Sequence, residues 1–276
     1  MTTQFLNVAD GELAYESSGS DSLVIGVPGM GDLRAGYRFL TSQLVAAGYR
    51  MVRMDVRGHG ESSIQWPDYS VKGAGEDILA LVRALDTGPA ILIGNSMAAG
   101  AAVWAAAEAP ELVKALVLLD PAVRGEVSGA MRILLATLFA RPWGPLAWMA
   151  YFKMLFPTHK PADFTAYTAA LKQNLSVPGR LESLYQMMIA SKAASETRIQ
   201  RVRVPTLVLM GSKDPDFKDP AAEAAWVAGE TKGTFKMIEG AGHYPHVEMP
   251  EISGPHIIAF LKTLVSEANH VALTHA

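Results

Sequence analysis

Short apolar segments alternate with helical patterns along most of the chain, and this alternation restricts the possible folds more than any other feature. The segments with the length and composition of buried strands are 22–27, 50–56, 90–94, 115–120, 205–211 and, more weakly, 234–240. Between and after them, apolar residues recur at helical spacing, as in 78–85 and 257–264. Strands that alternate with helices predict parallel crossovers and a sheet covered on both faces. Two earlier segments, 5–8 and 12–16, predict an antiparallel hairpin at one edge.

The alternation stops between about residue 121 and residue 200. This region is helical in pattern and rich in large apolar side chains, among them Phe139, Trp143 and Trp148. Because an all-helical segment here lies between two predicted strands of one sheet, we expect a cap over the edge of that sheet. The predicted organisation is a first core segment, a helical cap and a second core segment, with the bounds 1–120, 121–200 and 201–276.

The composition narrows the chemistry and the location. The 276 residues include no cysteine, which excludes disulfides and cysteine catalysis and is compatible with the cytoplasm. A formal net charge of −3 gives no electrostatic basis for nucleic-acid binding. The N-terminus lacks the basic and apolar regions of a secretory signal, so we expect a cytoplasmic protein. The apolar stretch 133–152 has the length of a membrane span, but Arg141, Pro142 and Pro145 interrupt it and predict two helices joined at a turn.

The sequence LIGNSMAAG, residues 92–100, places Ser96 between a predicted strand and a predicted helix. A sharp turn there would expose the serine hydroxyl at the carboxyl end of the sheet, and it requires small residues two positions before and after the serine. Gly94 and Ala98 meet that requirement, and the N–H of Met97 would point toward an oxyanion. A serine at the start of a helix is also a common N-cap, so both a nucleophile and a cap fit this pattern.

Four further motifs, together with this turn, make the sequence resemble the α/β-hydrolase family: VPGMGD (27–32), DVRGHGES (55–62), VPTLVLMGSKD (204–214) and GAGHYPHVEMPE (240–251). The resemblance covers nearly the whole chain and implies a mostly parallel eight-stranded sheet with helices on both faces. It also implies a catalytic triad of Ser96 as nucleophile, Asp214 as acid and His243 as base, in the family's chain order. The backbone N–H groups of Met30 and Met97 would form the oxyanion hole.

The chain departs from the family pattern at two positions. Pro28 replaces the histidine that usually precedes the oxyanion-loop glycine, and Ala98 replaces a glycine. His246 competes with His243 as the base, and the pair could suggest a metal, but no matching ligand cluster accompanies it and we expect none. We expect His59 in a structural or pocket-wall role. The other candidates for the acid are Asp120, Asp216 and Asp219.

The predicted activity is cofactor-independent hydrolysis of a carboxylic ester or lactone with an apolar acyl or alcohol part. The large apolar side chains of the cap favour a lined cavity between the cap and the sheet, since ligand pockets are mostly apolar. They could instead form a private core between the two. The predicted substrate-binding residues are Gly29, Met30, Met97, Phe139, Trp143, Trp148 and Tyr244.

Other activities fit parts of the sequence. The turn GNSM (94–97) is similar to that of the meta-cleavage-product hydrolases, which cleave carbon–carbon bonds, but Tyr244 stands where those enzymes have a tryptophan. The remaining alternatives are a perhydrolase or haloperoxidase-type activity, a non-catalytic ligand-binding protein on the same fold, and peripheral membrane contact through the cap. The sequence predicts a small-molecule substrate, no nucleic-acid partner and no stable membrane span, and it specifies no oligomeric state.

Overall fold

The computed structural model describes residues 2–274, with side chains as far as Leu264. Within this range the strands are β1 (Gln4–Val8), β2 (Gly11–Ser18), β3 (Leu23–Val27), β4 (Arg50–Met54), β5 (Ala90–Asn95), β6 (Val113–Leu119), β7 (Thr206–Gly211) and β8 (Thr234–Ile238). The α-helices are α1 (Arg38–Ala46), α2 (Val71–Leu85), α3 (Met97–Glu108), α4 (Gly129–Leu138), α5 (Gly144–Met154), α6 (Phe164–Ser176), α7 (Arg180–Ile189), α8 (Ala193–Glu196), α9 (Pro220–Thr231), α10 (Pro245–Glu248) and α11 (Pro250–Thr274).

The strands form one sheet in the order β1-β2-β4-β3-β5-β6-β7-β8. β2 pairs antiparallel with β1 and with β4, and every other neighbouring pair is parallel. This topology confirms the predicted fold class, including the hairpin at one edge. β5 lies near the middle between β3 and β6, so the loops that follow these three strands meet at one edge of the sheet.

Both faces of the sheet are covered because the central strands alternate their apolar side chains between two cores. Along β5, Leu92 belongs to the core beneath α2, α3 and α9, whereas Ile91 and Ile93 belong to the core beneath α1 and α11. α3 is rich in alanine and buried from Met97 to Ala107. Its small side chains allow the helix to lie close against the sheet directly after Ser96.

Helices α4–α8 lie between β6 and β7, where the sequence predicts a cap. Their large apolar side chains pack together and against the segment that follows β8. We call this group the cap core, and its buried members are Phe139, Trp148, Met149, Phe152, Leu155, Phe156, Phe164, Tyr167, Leu171, Leu175, Leu181, Leu184, Tyr244 and Val247. The division of the chain at residues 120 and 200 stays a prediction.

The apolar stretch 133–152 is divided between α4 and α5, on either side of Pro142. Pro145 lies in the first turn of α5, where its missing N–H leaves no helical hydrogen bond unmade. In the part of the chain that the structure describes, no helix is long and apolar enough to cross a membrane. The two-helix prediction for this stretch is therefore confirmed.

Candidate active site

Ser96 connects β5 to α3 in a backbone conformation that serine seldom adopts. Its φ and ψ angles are 55° and −122°, outside the regions where residues other than glycine normally lie. Neighbouring segments hold this conformation, because the Ser96 N–H donates to Leu119 O (2.9 Å) and the Ser96 carbonyl accepts from Ala122 N–H (3.1 Å). Among the described residues, the Ser96 side chain makes no N-cap hydrogen bond to α3. A strained serine that does not cap its helix favours the nucleophile interpretation.

The turn is tight enough to require glycine at position 94. A Cβ atom on Gly94 would lie 2.4 Å from Ala98 O and 2.7 Å from Ala99 N, well inside van der Waals contact. The methyl group of Ala98 is fully buried, so the turn accommodates the substitution that departs from the family pattern. The turn therefore has room for a methyl group at position 98 but not at position 94.

We expect Gly94→Ala to lower the free energy of unfolding by about 3 kcal/mol, because the added methyl group overpacks rigid backbone. Ala98→Gly is the matched control, and it should cost about 1 kcal/mol through backbone entropy in the first turn of α3. Urea denaturation of both variants measures the two effects. Equal losses would contradict the geometry described for the turn.

Asp214 and His243 form a direct hydrogen bond beneath the cap. His243 Nδ1 lies 2.7 Å from Asp214 Oδ2, and both side chains are buried. The second oxygen, Asp214 Oδ1, accepts from Asp216 N–H at 2.9 Å. Lys213 N–H donates to Ala241 O (2.9 Å), which joins the turn after β7 to the loop that carries the histidine. The structure thus brings together the two residues that the resemblance implies as acid and base.

The negative charges around His243 favour its protonated form. Burial alone would lower its pKa, but the charge of Asp214 and the hydrogen bond to it, with a smaller contribution from Asp216, raise the pKa above its usual value. An imidazole in this setting accepts a proton readily and is stabilised as an imidazolium. Asp216 Oδ2 lies 3.7 Å from the opposite ring nitrogen, Nε2, and is therefore next to the atom that would accept the proton of a nucleophile.

The competing candidates have other surroundings. His246 is buried with its ring centroid 5.0 Å from that of Tyr37, and burial lowers its pKa to about 3. Asp219 is the N-cap of α9, where its side chain accepts from Ala222 N–H at 3.0 Å. The contacts therefore favour the pair Asp214 and His243 over either alternative.

Two residues that sequence reasoning missed hold the histidine loop in place. Asn95 Nδ2 donates to His243 O (3.1 Å) and Leu119 O (3.2 Å), and so links the residue before Ser96 to the histidine. Glu248 Oε2 accepts from Gly242 N–H (2.7 Å), while its Oε1 accepts from the N–H groups at 158 and 159 in the cap (2.8 and 2.7 Å). The sequence signal for Asn95 is a polar residue directly after the apolar run 90–94, and Glu248, in a mixed polar segment, carries no such signal.

The loop after β3 lies against Ser96 and is held from both sides. A Cβ atom on Gly29 would lie 3.2 Å from Ser96 Cβ. Gly31 has φ of +70°, and its N–H donates to His59 Nε2 at 3.0 Å, while Trp148 Nε1–H of the cap donates to Gly31 O at 3.1 Å. His59 thus supports the loop after β3 from outside it, and this loop has Pro28 where the family pattern has a histidine.

The contacts of His59 define its tautomer. Nε2 accepts from Gly31 N–H, so the proton is on Nδ1, which lies 3.1 Å from Arg57 O. Burial lowers the pKa of His59 to about 4, and the nearby charge of Arg180 acts in the same direction. His59 is therefore neutral at neutral pH, as its acceptor role requires.

This arrangement predicts a loss of stability in acid. The folded-state pKa of about 4 lies below the ordinary value of 6.5, so the unfolded chain binds the extra proton and stability falls as the pH drops through this window. The contribution of His59 is roughly 3 kcal/mol over that range. We expect His59→Gln, which keeps an acceptor but does not titrate, to show a shallower acid-side decline in unfolding free energy. Parallel pH profiles for the two proteins would contradict this role.

The residues predicted to bind substrate do not share one environment. Gly29 and Met97 are buried beside Ser96, and Met30 is partly buried between the cap core and the sheet. Phe139, Trp148 and Tyr244 are members of the cap core. Trp143 lies outside the cap core, is 50% exposed and donates its indole N–H to Thr137 O, and its part in substrate binding stays a prediction.

The cap covers the site. Ser96 is 4% exposed and His243 is 3% exposed. A cleft of about 380 Å³ opens elsewhere, beside Arg34 and Asn174, and its lining includes neither Ser96 nor His243. The large apolar side chains of the cap pack mainly against one another and against the segment that follows β8.

Asp120 lies close to the pair, and the spacing of the three side chains could suggest a cation. One oxygen each from Asp120 and Asp214 and one nitrogen of His243 all lie within 4.8 Å of one another. The 2.7 Å contact between His243 Nδ1 and Asp214 Oδ2, however, has the length of a charge-assisted hydrogen bond. A proton shared there occupies the space between the two atoms, so this geometry suits a hydrogen-bonded pair of acid and base better than a metal centre.

The chain is similar to known proteins over most of its length. The family model described as serine aminopeptidase, S33, matches residues 18–250. The chain is 32% identical to 2-(acetamidomethylene)succinate hydrolase of Mesorhizobium japonicum over 241 residues, 77% of this chain and 78% of that protein. It is 30% identical to the non-heme chloroperoxidase of Streptomyces lividans over 230 residues, 78% and 83% of the two chains. A bromoperoxidase structure from Bacillus anthracis superimposes with a TM-score of 0.81 at 19% identity, covering 95% of this chain and 100% of that one, and shows the shared fold.

Proposed function

We propose that this chain, which belongs to the α/β-hydrolase family of enzymes, hydrolyses a carboxylic ester or lactone without a cofactor. The family model that it matches is described as serine aminopeptidase, S33. The observation that carries the proposal is the buried hydrogen bond between Asp214 and His243, which Asn95 ties to the turn at Ser96. This is the support that an acyl-transfer nucleophile requires. A cysteine-free chain also suits the cytoplasmic location that belongs to the same proposal.

In the proposed mechanism Ser96 Oγ attacks the carbonyl carbon while His243 Nε2 takes the serine proton. Asp214 holds the imidazole in the tautomer that leaves Nε2 free to accept, and it stabilises the imidazolium that forms. The N–H groups of Met30 and Met97 bind the oxyanion. His243 then gives its proton to the departing alcohol. In the second half of the reaction water attacks the acyl group on Ser96 while His243 takes a proton from the water, and His243 returns that proton to Ser96 Oγ as the acid leaves.

The proposed substrate is a small or medium-sized molecule with an apolar part, bound between the cap core and the sheet. Met30 supports this proposal, because it packs against both, and methionine is a flexible wall for apolar ligands. Asp216 supports a polar edge to the same site, since Tyr151 OH of the cap donates to its Oδ1 at 2.5 Å. Two relatives carry the names of a succinate-derivative hydrolase and a chloroperoxidase, so amide and peracid chemistry belong in the test.

A substrate panel tests the proposed reaction. Specificity constants for p-nitrophenyl esters should rise severalfold per methylene from acetate, since each buried methylene is worth about 0.8 kcal/mol, and then fall where the cavity ends. Lactones, a vinylogous diketone, an aminoacyl anilide and acetate with hydrogen peroxide serve as the other arms. Turnover of the diketone alone would favour the carbon–carbon hydrolase alternative, and turnover of the anilide alone a peptidase.

A fluorophosphonate probe separates an enzyme from a ligand-binding protein on the same fold. Covalent labelling requires an activated serine but no knowledge of the substrate. A protein that binds apolar ligands but is neither labelled nor active on the panel would contradict the proposal.

A further inference from the structure

Asp120 is a buried carboxyl group that the proposed mechanism leaves without a task. It follows β6 with φ of +44°, and its N–H donates to Leu209 O at 2.9 Å. Asp120 Oδ1 accepts from Gly211 N–H at 2.8 Å, which fixes the side chain beneath the turn after β7. The other oxygen, Oδ2, is buried and has no hydrogen-bond donor among the described residues. A buried oxygen of an ionised carboxylate without a donor would be costly.

The charges that face Asp120 are unfavourable to a second anion. One oxygen of its side chain lies within 4.8 Å of an oxygen of Asp214, and Asp216 adds further negative charge from the same turn. His243, within the same 4.8 Å cluster, already has Asp214 as its partner through Nδ1. Burial in the first place, and the charge of Asp214 in the second, raise the pKa of Asp120 well above its usual value. Two adjacent buried carboxyl groups normally share a proton.

The hydrogen-bond pattern decides which of the two acids holds that proton. Both oxygens of Asp214 already accept, Oδ2 from His243 Nδ1 and Oδ1 from Asp216 N–H, as an ionised carboxylate requires. Asp120 has one oxygen that accepts and one that lacks a donor. A proton on Asp120 Oδ2 turns that oxygen into a donor toward Asp214 and removes the unsatisfied position.

We propose that Asp120 is a neutral carboxylic acid at neutral pH and that its Oδ2–H group donates to Asp214. It is a positioning residue that acts through Asp214, and its catalytic role rests on the proposed function. The extra hydrogen bond holds the Asp214 carboxylate against His243. Its neutrality leaves a single charge directly behind the imidazole, so that His243 is not held permanently as an imidazolium.

Infrared spectroscopy tests the protonation directly, because a protonated carboxyl group has a carbonyl stretch that a carboxylate lacks. In wild-type protein grown with isotope-labelled aspartate, this band should be present at mildly alkaline pH, where Asp32, whose pKa burial raises to about 6, is ionised. Asp120→Asn should remove it, and Asp216→Asn is the matched control that should keep it. A wild-type protein without the band would overturn the proposal even if no variant folds.

Kinetics test the positioning role separately. Asparagine can accept from Gly211 and donate to Asp214 as the neutral acid does, so Asp120→Asn should keep kcat within about fivefold of the wild type. Asp120→Ala removes the donor and should lower kcat by about 10-fold to 100-fold, with KM little changed. A kcat in Asp120→Asn as low as that of Asp214→Asn would show that Asp120 is needed as an anion and overturn the proposal. Failure of the proposed function is distinguishable, since the wild type would then turn over neither esters nor lactones while the infrared band stays in place.

Discussion

Replacement of Ser96 by alanine should abolish covalent labelling by a fluorophosphonate and reduce ester hydrolysis by about 10⁴-fold to 10⁶-fold. The reason is that alanine has no hydroxyl group for the proposed base, His243, to activate. Alanine also fits the turn, because the residue at this position contributes no cap to α3. Mass spectrometry of the labelled wild type should place the adduct on the peptide that contains Ser96.

Ser195→Ala is the matched control for this experiment. Ser195 is fully buried, and its hydroxyl donates to Val123 O at 2.7 Å, in an ordinary structural role. We expect labelling of this variant to match the wild type. Labelling that survives in Ser96→Ala would identify another nucleophile and remove the basis of the proposed reaction.

The sequence predicts those features that depend on short stretches of chain. The buried segments appear as strands within a few residues of the predicted bounds; for example, 90–94 is found as Ala90–Asn95. The turn at Ser96 is equally local, since its geometry depends on the small residues at positions 94 and 98. Period-two and helical spacing are properties of neighbouring residues, so a single sequence carries them.

The supporting contacts of the site join distant parts of the chain, and sequence patterns do not encode them. His59 reaches Gly31 across 28 positions, and Asn95 reaches His243 across 148. The motif at 55–62 contains His59, but no local pattern pairs this residue with the loop after β3.

The cap shows the same division between local and long-range information. Its helices follow from apolar spacing, but the partner of each apolar face depends on how five helices pack. Trp143 and Trp148 are five positions apart, yet one is half exposed and the other is 1% exposed with its indole N–H on Gly31 O. A composition rich in tryptophan and phenylalanine predicts burial on average and cannot distinguish these two positions.

Asp214→Asn should lower kcat/KM on the order of 10⁴-fold, the effect seen in the best-studied protease triad. Asparagine preserves the shape of the side chain but can donate to Nδ1, which favours the tautomer with its proton on Nε2, where the serine proton must go. Asp216→Asn is the matched control, because Asp216 lies two residues away and 3.7 Å from Nε2 without a hydrogen bond to it. We expect this control to lose less than about tenfold.

The pH dependence of the remaining activity provides a second, independent readout. Activity requires neutral His243, so kcat/KM should fall on the acid side as the ring takes up a proton. Asp214 is the largest influence that raises the pKa of His243, and burial opposes it. Removal of the Asp214 charge should therefore move the acid limb of the profile to lower pH, while the plateau drops. A lowered plateau with an unmoved acid limb would mean that the residue seen in the pH profile is not His243, and a shift to higher pH would contradict the assigned sign of the Asp214 interaction.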